Sequence, residues 1–461
     1  MKCRIVIAFV LLFFGLNAQN IKRKGMLGVG LYTSISDSLK KATNLQTTKG
    51  ALINFVVPNS SADALKLQTL DLIVSINNTE INSAADVFAI AKLLKADDLL
   101  SVKVLRKNKT LNLKGKVMAK PYEQSNIAKI SYGEFKFEQG YIRTILRKPI
   151  NKKEIGVVYF VQGISCYSLD NMQAKDPTKL ALDAMIEKGF AVYTVEKSGV
   201  GDSYSCAPCE QIGYNKELEV YREGYKNLLQ LKDIDTSAIF VFGHSLGGIS
   251  APLLAQEFQP KGVVVYGCGL KPWSEYLLDA YMLQQQLYGV DLASLRDTVE
   301  FMKPTFNELF YKNQSAELLS KDPKHLLALQ IGLGYDVNTK LGFAGRTVQF
   351  HKEINDQNLA KAWRGTRSYV LAIYGEADIA ANNEYDHKAI AEYVNQVHPN
   401  KGTFLLMPKT NHTFQEVGTM PEFIKMQSNP IAYEKYASEH FNTKLFDVVC
   451  DWMKDKLAKQ L

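Results

Sequence analysis

The chain has 461 residues, enough for two or three domains rather than one. Its 46% hydrophobic and 22% charged residues are the mix of a globular protein and exclude a chain disordered throughout. The formal charge of +8 is spread along the sequence, with no dense Lys/Arg block interleaved with aromatics, so no nucleic-acid partner is expected.

Residues 1–18 have the form of a secretory signal peptide. Lys2 and Arg4 supply the positive end, residues 5–16 the apolar stretch, and Leu16-Asn17-Ala18 a small-residue cleavage site. That stretch is short for a bilayer and no later run replaces it, so the expectation is an exported protein, periplasmic or secreted, without a membrane span. Cleavage would remove Cys3 and leave Cys166, Cys206, Cys209, Cys268 and Cys450. Export permits disulfides, and the expected bridge is either local, within Cys206-Ala-Pro-Cys209, or between Cys166 and one of that pair.

Residues 24–118 read as a small strand-rich domain with one principal helix over 83–94. Lys24-Gly25-Met26-Leu27-Gly28-Val29-Gly30-Leu31 opens it, followed by Gly50-Ala51-Leu52-Ile53, Val57-Pro58-Asn59-Ser60-Ser61-Ala62 and Asp71-Leu72-Ile73-Val74-Ser75-Ile76-Asn77. Two closing strands, 99–106 and 110–117, flank a turn at Lys107-Asn108-Lys109. In this order the segments resemble a PDZ domain. The resemblance implies that the backbone N–H groups of Leu27, Gly28, Val29 and Gly30 hold the terminal carboxylate of a protein or peptide, which adds as an extra strand. Leu65 and Leu70 stand where many bacterial PDZ domains have glycines.

From Gly133 onward the pattern changes. Two alternating segments, 134–137 and 141–147, predict antiparallel strands. Short β-branched or aromatic runs at 157–161, 190–195, 239–242, 263–266, 369–374 and 403–407 then alternate with helical stretches, including 178–188, 217–231, 249–258 and 443–457. That rhythm predicts an α/β fold with a mostly parallel sheet covered by helices. Residues 270–365 break it: about ninety residues of helix-like sequence without a clear core strand.

The run Ile239-Phe240-Val241-Phe242 leads into Gly243-His244-Ser245-Leu246-Gly247-Gly248. A strand ending in G-x-S-x-G before a helix pushes the serine hydroxyl into the open and puts helix N–H groups beside it, which makes Ser245 the candidate nucleophile. A serine hydroxyl needs a base oriented by an acid. His412 sits in the loop just past strand 403–407 and is the favoured base, with His440 its rival. His387 and His398 flank a helix-like segment and are expected at the surface. Asp378, in the turn Gly375-Glu376-Ala377-Asp378, is the favoured acid, with Glu376 and Asp386 as alternatives.

These residues, their order and the loop Glu196-Lys197-Ser198-Gly199-Val200-Gly201-Asp202-Ser203, which is similar to a D-x-R-G-x-G-x-S loop, make residues 130–461 resemble an α/β-hydrolase. The resemblance implies that 270–365 is a helical cap. It also implies an oxyanion hole from the backbone N–H groups of Leu246 and of Ile164, in the loop Gln162-Gly163-Ile164-Ser165. The expected activity is that of a serine hydrolase acting through an acyl-enzyme, with carboxylic ester hydrolysis favoured. A peptidase resembling the prolyl oligopeptidase or proline iminopeptidase groups is the alternative, and a PDZ peptide-binding protein with a vestigial hydrolase domain a further one. None of this chemistry requires a metal or a cofactor; the expected substrate is a small-molecule ester or a peptide.

Overall fold

In the computed structural model the described residues are 20–36, 39–41, 45, 47, 49–150, 152–204 and 207–459. The expected signal segment and Cys206 lie outside them. Among them no helix is long and apolar enough to cross a membrane.

The N-terminal part is a sheet of β1 (Val29–Leu31), β2 (Ala51–Val56), β3 (Leu72–Ile76), β4 (Thr79–Glu80), β5 (Leu99–Arg106) and β6 (Lys109–Lys116), in the order β1-β2-β3-β5-β6 with β4 beside β3. Lys107 and Asn108 both take positive φ (50° and 62°), the two-residue turn that suits the twist of the β5–β6 hairpin. Inward residues such as Ile53, Ile73, Val87 and Val102 form the core. The helix is shorter than the sequence predicts, Ala84–Ala91, opened by a capping box between Ser83 and Asp86. Leu94 is drawn inward instead of continuing it, and its carbonyl accepts a bond from Gly25 N–H at 2.8 Å.

The larger part is built on eight strands: β7 (Ala128–Phe137), β8 (Gly140–Pro149), β9 (Val157–Val161), β10 (Ala191–Val195), β11 (Ile239–His244), β12 (Gly262–Tyr266), β13 (Tyr369–Gly375) and β14 (Gly402–Met407). Their order is β14-β13-β12-β11-β9-β10-β8-β7. The six from β14 to β10 are parallel, and the β7–β8 hairpin adds antiparallel at one edge. All five residues of β9 are buried because helices cover both faces. Val157, Tyr159 and Val161 pack with the helices Tyr214–Leu229 and Gly247–Phe258, while Val158 and Phe160 pack against Pro177–Glu187 and Thr443–Leu457.

Between β12 and β13 lies a helical segment that includes Trp273–Leu287, Leu292–Phe306, Pro323–Leu333 and Val348–Asn355. Two more helices that sequence reading did not predict, Met420–Gln427 and Pro430–Ala437, follow β14.

The two parts meet through Arg23, just before the PDZ-like loop. Its guanidinium Nη1 lies 2.7 Å from Asp202 Oδ2 and 2.5 Å from Asp170 Oδ2, and all three side chains are almost wholly buried. Its other N–H groups donate to the carbonyls of Lys120 and Pro121, and the ring of Tyr122 lies 4.7 Å away. Asp202 also accepts from Lys24 N–H at 2.7 Å, and Tyr132 donates its hydroxyl to Asp170 at 2.6 Å.

Candidate active site

Ser245 sits where β11 becomes the helix Gly247–Phe258 and takes φ +56°, an uncommon conformation for a residue with a side chain. The turn is possible because its flanks are glycines. A Cβ on Gly243 would come within 2.4 Å of the Gly247 carbonyl oxygen, and one on Gly247 within 2.0 Å of the Val161 carbonyl oxygen. Ser245 N–H donates to Tyr266 O at 2.9 Å, which anchors the turn to β12.

The loops after β13 and β14 bring Asp378 and His412 together. His412 Nδ1 lies 2.9 Å from Asp378 Oδ2 and 3.0 Å from Oδ1, while Ala381 N–H donates to Oδ1 at 2.9 Å. Asp378 is fully buried. Burial opposes its charge, but the nearby imidazole and these hydrogen bonds outweigh burial and hold its pKa below the ordinary value. Burial likewise disfavours the His412 cation, but the Asp378 charge and hydrogen bond prevail and raise its pKa.

Ser245 and His412 face a common cavity of about 490 Å³. Ile249, Trp273, Tyr276 and Phe343 give it an apolar wall. The polar ends of two of these aromatics are hydrogen-bonded: Trp273 Nε1 donates to His351 Nδ1 at 3.0 Å, and Tyr276 Oη donates to Ala380 O at 2.6 Å. Among the described lining residues the one carboxylate is Asp176, whose Oδ1 caps the helix Pro177–Glu187 by accepting from Thr178 and Lys179 N–H. Ile164 and Leu246 line the same cavity. Gly163 presses close to the serine; a Cβ there would lie 3.1 Å from Ser245 Cβ.

The Ile164 loop is held from several sides. Lys197 Nζ donates to Gly163 O at 2.7 Å and Ile164 O at 3.3 Å, and Arg346 Nη1 donates to Ile164 O at 2.9 Å. Further along, Glu196 accepts from Ser168 Oγ and Leu169 N–H; its burial pushes its pKa up to about 7. A disulfide joins Cys166 to Cys209, one of the pairings left open by the sequence.

In the PDZ-like part, the carbonyls of Leu27 and Gly28 accept from Ala62 and Val57 N–H, both at 2.9 Å. Val29 and Gly30 begin β1, which pairs with β2.

Some expectations do not hold. His387 is not at the surface: it is fully buried on the helix Tyr385–Val397, where Cys268 N–H donates to its Nε2 at 3.2 Å. Burial, the largest influence on it, lowers its pKa to about 4, so the ring is neutral. His440 stacks on Tyr436 and bonds Tyr436 O through Nδ1 at 2.7 Å. Glu376 accepts from Lys409 N–H and Asp386 from Leu270 N–H, so neither carboxylate orients His412. A residue missed by sequence reading is His244: its Nε2 donates to His412 O at 2.8 Å, fixing the backbone of that loop. Its place beside the serine, inside the glycine motif, was the available signal.

The sheet order, the strand–turn–helix at Ser245 and the helices on both faces define an α/β-hydrolase fold, here carrying an N-terminal PDZ domain. The chain belongs to the family described as serine aminopeptidase, S33, whose model matches residues 178–415; a PDZ-domain model matches residues 25–117. Among curated proteins it is similar to the periplasmic serine endoprotease DegP of Escherichia coli K12, 31% identical over 91 residues, 20% of this chain and 19% of that protein. It is also similar to a probable DegP-like periplasmic endoprotease of Chlamydia pneumoniae, 27% identical over 177 residues, 38% of this chain and 33% of that protein. The chain thus spans a third or less of the length of these relatives. Among solved structures it is similar to Est1E from Butyrivibrio proteoclasticus, at 12% identity and a TM-score of 0.43 over 71% of this chain and 99% of that one. A carboxyl esterase from Bacillus coagulans gives 16% and 0.42 over 71% and 99%. The acylaminoacyl peptidase of Pyrococcus horikoshii gives 12% and 0.41 over 76% and 50%.

Proposed function

We propose that this protein is an exported serine hydrolase that cleaves carboxylic esters through an acyl-enzyme. One observation carries the reading: Ser245, on its positive-φ turn, shares an apolar cavity with His412, whose Nδ1 is bonded to the buried Asp378. That bond leaves Nε2 as the base. His412 takes the proton of Ser245 as Oγ attacks the ester carbonyl, and returns it to the leaving alcohol. The N–H groups of Leu246 and Ile164 receive the oxyanion. Water, activated by the same imidazole, then releases the acid and restores Ser245. The predominantly apolar wall favours an acyl group without charge.

Peptide hydrolysis is the second reading. It is favoured by the family description and by Asp176, whose carboxylate on the cavity wall suits a substrate ammonium group. In either case the Leu27, Gly28, Val29 and Gly30 loop is proposed to hold a protein C-terminus. Export rests on residues 1–18 and is supported by the periplasmic naming of the DegP-like relatives.

The test is turnover of a p-nitrophenyl ester series beside aminoacyl and prolyl anilides, with Ser245→Ala as control. Ester cleavage that vanishes in the variant, with negligible anilide cleavage, is expected. Anilide cleavage competitive with the esters, and weakened by Asp176→Asn, would favour the peptidase. Equal rates in wild type and Ser245→Ala would overturn both.

A further inference from the structure

The loop bearing Ile164 is gripped by two cations that reach it from different parts of the chain. Lys197 follows β10, whereas Arg346 belongs to the helical segment between β12 and β13, in the turn before Val348–Asn355. Glu217, on the helix Tyr214–Leu229, links them: its Oε1 lies 3.0 Å from Lys197 Nζ and its Oε2 2.8 Å from Arg346 Nη2. All three side chains are buried, exposed by 2% or less, and Arg346 also stacks on the Phe350 ring at 3.6 Å. Two positive charges face one carboxylate, and the carbonyl oxygens of Gly163 and Ile164 supply the remaining negative potential.

The consequence follows from peptide geometry. A trans peptide points its C=O and N–H in opposite directions. Drawing the Gly163 carbonyl onto Lys197 therefore turns the Ile164 N–H the other way. Fixing the Ile164 carbonyl on Arg346 holds the next peptide plane as well, so the loop is constrained on both sides of Ile164. A donor aimed in advance needs no rearrangement when negative charge develops.

Resting on the serine-hydrolase reading above, we infer that Arg346, acting with Lys197 through Glu217, is a positioning residue that aims the Ile164 N–H at the oxyanion. The helical segment thus does more than roof the cavity: it completes the electrostatics of the loop beneath it.

The inference is tested by Arg346→Met, Arg346→Lys and Lys197→Met in the full chain. Either methionine variant leaves one cation paired with Glu217, so no buried charge is stranded. Turnover of a p-nitrophenyl ester is measured beside inhibition by an alkyl boronic acid, which forms a tetrahedral adduct, and by the amide of the same acyl group, which stays planar. Loss of one oxyanion donor typically lowers kcat by about 10²–10³-fold, and a misaimed donor is expected to lose about 10–100-fold. Arg346→Met should show that fall in kcat with KM within about threefold, by analogy with an interaction made only in the transition state. Boronate affinity should fall in parallel and amide affinity stay constant. Arg346→Lys should recover part of kcat. A kcat within threefold of wild type, or equal losses of boronate and amide affinity, would overturn the inference. Should Arg346→Met fail to fold, Lys197→Met decides it by the same readouts. Turnover that survives Ser245→Ala would instead refute the underlying serine-hydrolase reading.

Discussion

His412 Nδ1 and Asp378 Oδ2 lie 2.9 Å apart, from loops after neighbouring parallel strands, and each shifts the other's protonation in the sense that favours the ion pair. A raised imidazole pKa has a direct kinetic sign. The base must be neutral, so kcat/KM is expected to fall as pH drops through a midpoint above the ordinary histidine value of about 6.5. NMR titration of the imidazole should place His412 above that value in the wild type and lower in Asp378→Asn, whose kcat should drop about 10⁴-fold. An unshifted titration in the variant would contradict the coupling.

Three other histidines titrate in the opposite sense. Burial, the leading influence on each, lowers His244 and His351 to about 3 and His387 to about 4. In the unfolded chain they protonate near pH 6.5, so between about 6.5 and 4 that state binds more protons and stability drops as the pH is lowered. His412, with its raised value, opposes this in part: its contribution is present below about 6.5 and is lost as pH rises through its folded value. A lower Tm at pH 4.5 than at pH 7 is expected by calorimetry; a rise on acidification would refute it.

The disulfide Cys166–Cys209 closes a loop of sequence separation 43. Replacing both cysteines with serine is expected to lower stability by about 4 kcal/mol on the loop-entropy scale. Because Cys166 lies two residues beyond Ile164, kcat should fall more than KM rises. Denaturant unfolding and steady-state kinetics on the purified variant measure the two effects.

Arg23→Ala removes the cation shared by two buried carboxylates. The expected loss is about 3 kcal/mol, the low end for breaking a buried pair, because Arg143 remains 3.3 Å from Asp202 and Tyr132 still bonds Asp170. Urea denaturation gives the value. A loss under 1 kcal/mol would show that the seam is not held by this ion cluster.

What could be read from the sequence was local. A run such as Ile239-Phe240-Val241-Phe242 followed by Gly-x-Ser-x-Gly combines strand periodicity, turn chemistry and a helix start within about twenty residues, and the loops after β13 and β14 announce themselves by their turns. Contacts between distant segments could not be read. Arg346 and the Ile164 carbonyl are 182 residues apart, and nothing near either one names the other. The sequence pattern puts His387 at the flank of a helix-like segment and so at the surface, yet the helix starts at Tyr385 and its period turns His387 toward Cys268. Arg23 lies just outside the PDZ pattern and carried no signal at all.

Arg23 lies four residues before Leu27, where the carboxylate loop begins, and its anchor Asp170 lies six residues after Ile164. The same stretch of chain that would receive a peptide is thus fastened to the stretch that would receive an oxyanion. Linkage then runs both ways. Whatever free energy a bound peptide spends displacing that anchor reappears, with equal size, as a change in peptide affinity once substrate fills the other site.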